Sequence, residues 1–124
     1  MGARQVAILQ EALRALYAQL EAHGEWGVNL YVAAADGREV DAHLNDFFLS
    51  FYGSYDQAQA EGLLEKMTPC LPCSLDFVDE DEAVGFQVDL RPVDEMSAAL
   101  DKVFTDALEL GADYDLTWEL MDMA

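Results

Sequence analysis

The two cysteines are the residues whose spacing comes nearest to a chemical motif. Cys70 and Cys73 have the Cys-x-x-Cys spacing of a redox dithiol or of half a zinc site. In a thioredoxin-type site the first cysteine begins a helix, whose dipole lowers the pKa of the thiol, whereas this pair follows a helical pattern and precedes a strand-like run. Zinc would need two further ligands, and only His23, His43 or carboxylates are candidates. The favoured interpretation is two small apolar side chains in a proline-rich connection, with a redox or metal site as the alternative.

No other pattern indicates an enzyme. The phosphate-binding, dinucleotide-binding, nucleophile-elbow and HExxH motifs are absent. A general base needs a positioned partner, and the sequence gives neither His23 nor His43 one. A cluster of aromatic residues at helical spacing is more typical of a core than of a pocket: Phe47, Phe48, Phe51, Tyr52 and Tyr55. We therefore expect a non-catalytic protein with no catalytic residues, no metal and no cofactor.

The charge excludes several classes of partner. The 124 residues include 25 acidic and 6 basic side chains, a formal net charge of −19, yet 52% are hydrophobic, which is enough apolar material to fold. Such a field repels nucleic acid and anionic membranes, so we expect neither as a direct partner. No stretch is long and apolar enough to span a membrane or to serve as a signal peptide, and we expect a cytoplasmic protein.

Three helices are predicted from apolar residues spaced three and four apart. The first runs from Ala3 to Ala22 and is stopped by Gly24. A second piece begins after the cap Asp56 and ends before Pro69, and a third opens at Asp94 with Gly111 just past its end. The segment from residue 38 to residue 55 is ambiguous: we interpret it as helical, with a strand after the Asp36-Gly37 turn as the alternative.

The strands follow from alternation of apolar and polar residues. Residues 26–35 form the first, residues 74–78 and 83–90 form a hairpin around the acidic turn 79–82, and residues 113–121 form the last. The order after the first helix matches the βαββαβ arrangement of ferredoxin-like domains. We predict one α+β domain over residues 1–124, with a ferredoxin-like antiparallel sheet, an additional N-terminal helix, and a second sheet face that is open or covered by that helix.

The acidic residues form the predicted binding surface. Residues 1–62 hold 9 acidic and 3 basic residues and residues 63–124 hold 16 and 3, so the two halves carry −6 and −13. We place the candidate partner-binding residues on the strand face opposite the apolar one and at the hairpin tip. They are Asp76, Asp79, Glu80, Asp81, Glu82, Asp89, Asp113, Asp115 and Glu119. The alternative is that the charge only maintains solubility.

The end of the chain resembles a known family. The apolar helix running through Leu108-Glu109-Leu110-Gly111 into Asp113-Tyr114-Asp115 and Trp118, with the order of elements, is similar to the ribonuclease E inhibitor family RraB. The resemblance implies a ferredoxin-like fold and an acidic protein that binds and inhibits an RNA-degrading enzyme.

Two functions of different classes follow. The first is a non-catalytic inhibitor or binding protein that mimics nucleic acid and docks on a basic nucleic-acid-handling partner, as a toxin immunity protein, anti-defence inhibitor or nuclease regulator would. Its affinity would depend on a few apolar or aromatic anchors such as Tyr31, Tyr52, Tyr55 or an exposed tryptophan. The second is a small enzyme or ligand binder that uses the open sheet face or the aromatic segment. Homodimerisation through a sheet edge or the first helix is a further alternative, but no residue specifies it.

Overall fold

The computed structural model describes residues 3–23, 28–37, 39–46 and 48–122. The helices are α1 (Ala3–His23), α2 (Gln57–Met67) and α3 (Val93–Lys102), and a π-helical turn (Val103–Ala107) extends α3. The strands are β1 (Val28–Ala35), β2 (Glu39–Leu44), β3 (Phe48–Tyr52), β4 (Cys73–Asp79), β5 (Ala83–Val88) and β6 (Asp115–Asp122). The class is α+β, as predicted.

The six strands form one antiparallel sheet in the order β4-β5-β3-β2-β1-β6. A four-stranded ferredoxin-like sheet would place β6 beside β3. Here the β1–β2 hairpin separates them, with β6 paired to β1 and β3 paired to β2. The ferredoxin-like topology is therefore not confirmed, because this order differs from it. Two crossovers remain: β3 connects through α2 to β4, and β5 through α3 to β6.

The prediction of a helix over residues 38–55 is wrong. Val40, Ala42 and Leu44 are buried while the residues between them are not, which is the period of a strand with one buried face. Leu44 and Phe51 face the core, but Phe48 pairs with Gln87 on the opposite face, so the apparent helical spacing joins two faces of a sheet. The Asp36-Gly37 turn was the decisive signal, and Gly37 has the positive φ of 77° that such a turn needs.

Local signals account for the ends of α2 and for the end of the α3 region. Asp56 caps α2 by accepting from the backbone N–H of Gln59, whose side chain accepts from the backbone N–H of Asp56. After the π-helical turn the left-handed residue is Glu109, with φ of 60°, and not Gly111 as the sequence suggested. Gly111 instead donates its backbone N–H to Asp36 at 2.7 Å, and a side chain there would collide with that carboxylate. The predicted stop at Gly24 lies outside the described residues.

All three helices pack on one face of the sheet. Residues of α1, α2 and α3 share a single core with the inward side chains of the strands, such as Leu9, Met67, Leu100, Leu30 and Phe86. α1 packs against α3, β1 and β6, and therefore lies in the same layer as the other helices. No described helix covers the opposite face. The sequence left two alternatives, an open face or one covered by the first helix, and the structure has the open face.

Candidate functional site

The uncovered face of the sheet, which we call the open face, carries a row of aromatic side chains across its centre. Tyr31 of β1 lies directly opposite His43 of β2, and His43 lies opposite Ser50 of β3, two residues from Tyr52. The rings of Tyr31 and His43 meet edge to face with centroids 5.2 Å apart, and those of His43 and Tyr52 with centroids 4.7 Å apart. We call Tyr31, His43 and Tyr52 the aromatic row.

Large apolar surface is left in water on this face. Tyr52 is 49% exposed, Phe77 of β4 is 42% exposed and Met121 of β6 is 40% exposed. These are the exposed large hydrophobic side chains among the described residues, and the strand register puts all three on the open face. Exposed apolar side chains gathered on one face mark an interaction surface more often than scattered ones do.

Phe77 is held flat on the sheet by a glycine. It pairs with Gly85 of β5 next to a β-bulge at Asp76, and its ring occupies the space that a Cβ of Gly85 would fill. Gln87 donates to Asp76 at 3.1 Å and so fixes the polar neighbour of this ring. The arrangement presents the face of the Phe77 ring above the glycine of the neighbouring strand.

A carboxylate adjoins the aromatic row. Tyr31 donates its hydroxyl to Oδ1 of Asp41 at 2.6 Å. This hydrogen bond is the main reason that the pKa of Tyr31 is raised to about 12, with burial and the charges of Asp41, Glu39 and Glu119 adding to it. Three carboxylates therefore act on one phenol, and the described charges around it are all negative.

His43 does not counter this charge. Burial lowers the pKa of its imidazole below the ordinary value, against an opposing effect from Asp41. The ring is therefore neutral at pH 7 and serves as an aromatic spacer between the two tyrosines.

The predicted partner-binding residues fall into three places. Six of them lie at one end of the sheet, where β4 ends and β6 begins: Asp79, Glu80, Asp81, Glu82, Asp113 and Asp115. Glu119 and Asp76 lie on the open face, on the two edge strands. Asp89 follows β5 at the other end of the sheet. Eight of the nine residues therefore lie at one end of the sheet or on the open face, Asp89 lies at the other end, and the nine do not form a single cluster.

The six acidic residues at the end where β4 ends and β6 begins form two groups, residues 79–82 beside β4 and Asp113 and Asp115 beside β6. The width of the sheet separates the two groups. Five steps of about 4.8 Å put β4 and β6 about 24 Å apart. Asp36 and Glu39, which flank the β1–β2 turn, and Asp41 stand between the groups. We call this set of residues the acidic end: Asp36, Glu39, Asp41, Asp79, Glu80, Asp81, Glu82, Asp113 and Asp115.

Basic side chains lie elsewhere in the described part of the chain. Arg4 and Arg14 are on α1, Lys66 on α2, Lys102 on α3, and Arg91 follows β5. Lys66 pairs with Glu109 at 3.6 Å, and Arg4 donates to the Tyr114 carbonyl. Among the described residues, the charge is thus mixed on the helical layer and only negative on the open face.

Sequence reasoning found part of this site. Tyr31 and Tyr52 were expected as anchors and do lie on the open face, whereas Tyr55 packs against the core. Asp41, His43 and Phe77 were not assigned to a binding surface. The alternation in β2 was the signal that could have found the first two, because it places Asp41 and His43 on the face opposite Val40 and Ala42.

The cysteine environment does not resemble an activated dithiol. Both thiols are free and partly buried, and burial is the main cause that raises the pKa of each. Activation requires the opposite shift. Cys70 follows α2 and Cys73 begins β4, and among the described residues no group of three or more His, Cys, Asp and Glu side chains is placed to hold a metal.

A cleft of about 540 Å³ opens beside Cys73 on the open face. It is lined by residues of β3, β4 and β5 and the segments next to them: Phe48, Pro72, Cys73, Ser74, Gln87, Val88 and Asp89. Its size is that of a small-molecule pocket, but among the described lining residues Asp89 is the one charged group.

Comparison with known proteins gives no match to a family profile, to a curated protein or to a solved structure. Within the described residues, no helix combines the length and apolar character needed to cross a membrane.

Proposed function

We propose that this chain is a non-catalytic binding protein that docks its open face onto a basic surface of another protein. The observation that supports this most directly is the coincidence of exposed Tyr52, Phe77 and Met121 with a surface whose described charges are all negative. Binding surfaces combine a few aromatic anchors with a polar rim that sets the charge of the partner.

The charge favours a basic partner over a second copy of the chain. Two copies placed face to face would bring Glu39, Asp41 and Glu119 against the same carboxylates, which costs free energy. A cationic partner would instead be steered towards the face and would neutralise it.

Proteins that handle nucleic acids are the basic class that fits best. A duplex about 24 Å long carries about 14 phosphates. The acidic end together with Asp76 and Glu119 presents eleven carboxylates across that width: the nine of the acidic end and these two. The density of charge is comparable, so a groove built for a phosphate backbone would accept this surface, in keeping with the inhibitor class that the resemblance to RraB implies.

The test is affinity capture at about 50 mM salt, where surface charges are weakly screened. Three baits are compared: the natural chain, the open-face pair Glu39→Gln/Glu119→Gln, and the helical-face pair Glu11→Gln/Glu61→Gln. Both pairs change the net charge equally. We expect one basic protein to be retained by the natural chain and the helical-face pair, lost by the open-face pair and released by salt. Equal retention by both pairs would contradict the proposal.

A further inference from the structure

We propose that the aromatic row and Asp41 form a docking site for an arginine side chain of the partner. This inference rests on the proposed function and specifies the chemistry by which the open face would recognise a basic protein. The residues concerned are Tyr31, Asp41, His43 and Tyr52, which lie on three neighbouring strands at the centre of the sheet.

The carboxylate is oriented and still has an acceptor to offer. Tyr31 donates to Oδ1 of Asp41, which restricts the motion of the carboxylate, and no described residue donates to its Oδ2. A carboxylate held in this way accepts N–H groups from an incoming cation without first paying the entropy of ordering itself.

An aromatic face lies beside that carboxylate. The register that pairs Ala42 with Phe51 places Asp41 and Tyr52 side by side on β2 and β3. Tyr52 is 49% exposed, and its edge-to-face contact with His43 holds the ring in place. A planar guanidinium can stack on such a ring and direct its N–H groups at Asp41 together, which a lysine ammonium cannot do.

Among the described residues, the groups around Asp41 favour an incoming cation. His43 is neutral at pH 7, because burial lowers its pKa, and it therefore neither neutralises Asp41 nor repels an incoming charge. Glu39 and Glu119 add negative potential close to Tyr31. Among the described residues no lysine or arginine of this chain stands on the open face.

The experiment compares acetylated, amidated hexa-arginine and hexa-lysine peptides as probes of equal charge. Binding to the natural chain is followed by NMR of the tyrosine and histidine rings at about 100 mM salt, where simple charge attraction is partly screened. We expect hexa-arginine to bind about fivefold more tightly than hexa-lysine and to shift the rings of Tyr52 and His43.

Variants separate the arginine site from general attraction. Asp41→Asn and Tyr52→Ala should reduce the ratio of the two affinities to about one, whereas Tyr52→Phe keeps the ring and should keep the preference. Glu39→Gln, which removes the same charge as Asp41→Asn, should weaken both peptides and leave their ratio unchanged.

The outcomes distinguish the two proposals. Equal affinity for both peptides, with shifts still on the open face, would overturn the arginine site and leave the docking face standing. Shifts confined to the helical layer, such as at Tyr17, would overturn both. A preference for arginine that survives Asp41→Asn and Tyr52→Ala would also overturn the arginine site.

Discussion

At the scale of single residues, the contact between Tyr31 and Asp41 determines the electrostatics at the centre of the open face. The hydroxyl of Tyr31 donates to Oδ1 of Asp41 at 2.6 Å, and this bond is the largest cause of a tyrosine pKa of about 12. The raised pKa means that the neutral phenol is favoured in the folded state. The stability it confers is fully present below pH 10 and is lost as the pH rises through about 12.

Asp41→Asn should therefore move the ionisation of Tyr31 back towards the ordinary value of about 10. The amide carries no charge and is a weaker acceptor than a carboxylate. NMR of the tyrosine ring carbons during an alkaline titration measures the shift, with Tyr31→Phe assigning the signal. Glu61→Gln, on α2 away from this face, is the control and should leave the titration of Tyr31 unaltered. A Tyr31 titration that is the same in the natural chain and in Asp41→Asn would contradict the hydrogen bond.

The sequence predicted the tyrosine anchors but not their neighbours, for a physical reason. Tyr31 lies in a strand whose alternation is plain, so its outward direction follows from the residues around it. Alternation in β2 places Asp41 and His43 on the open face, but their contacts with Tyr31 and Tyr52 come from pairing with β1 and β3. Register across strands is set by turns and packing that a single segment does not reveal.

At the scale of elements, the pairing of Phe77 with Gly85 couples β4 to β5 on the open face. Adding a methyl group with Gly85→Ala would push the Phe77 ring off the strand and should destabilise the fold by about 1 kcal/mol. In a Phe77→Ala background the obstacle is gone, and the same change should be neutral or stabilising by about 0.5 kcal/mol because glycine is unfavourable in strands.

Denaturant unfolding of the four proteins of this cycle measures the coupling. Additive effects within about 0.5 kcal/mol would mean that the ring does not rest on Gly85 in solution.

The turn after α3 stores backbone strain at Glu109, whose φ is 60°. Glu109→Gly should stabilise the protein by about 1 kcal/mol, since glycine adopts this conformation without a Cβ clash. The ion pair that it removes, Lys66 to Glu109 at 3.6 Å, is exposed and contributes little. Thermal unfolding checks the change, and Glu109→Gln, which removes only the ion pair, is the control. A Glu109→Gly protein that unfolds at a lower temperature than Glu109→Gln would show that the left-handed conformation is not strained.

Most of the elements could be predicted from sequence, and the failure over residues 38–55 shows the limit. Short strands and short helices give similar apolar counts, so Leu44, Phe48 and Phe51 fitted a helix although two of them face the core and one faces away. The strands β2 and β3 take the place of the predicted helix, so the sheet has six strands and not the predicted four. The α+β class was still predicted correctly, because the other strands could be recognised from their alternation of apolar and polar residues.

At the scale of the whole molecule, folding distributes the charge unevenly. The nine predicted partner-binding residues come from distant parts of the sequence, and the antiparallel turns bring six of them to one end of the sheet. Charge counts along the chain predicted the acidity of the later half. They could not predict that Asp36, Glu39 and Asp41, in the earlier half, complete the same end, because this follows from the inserted β1–β2 hairpin.

The most direct test of docking through the open face is hydroxyl-radical footprinting. The chain is oxidised alone and together with the basic protein that it retains in the capture experiment. Oxidation reports solvent access at Tyr52, Phe77 and Met121 on the open face, and at the half-buried Tyr17 on the helical layer as a reference. We predict that the partner reduces oxidation of the three open-face residues severalfold, that Tyr17 is unchanged, and that about 500 mM salt restores the unbound pattern. Protection of Tyr17 with undiminished oxidation of Tyr52, Phe77 and Met121 would contradict docking through the open face.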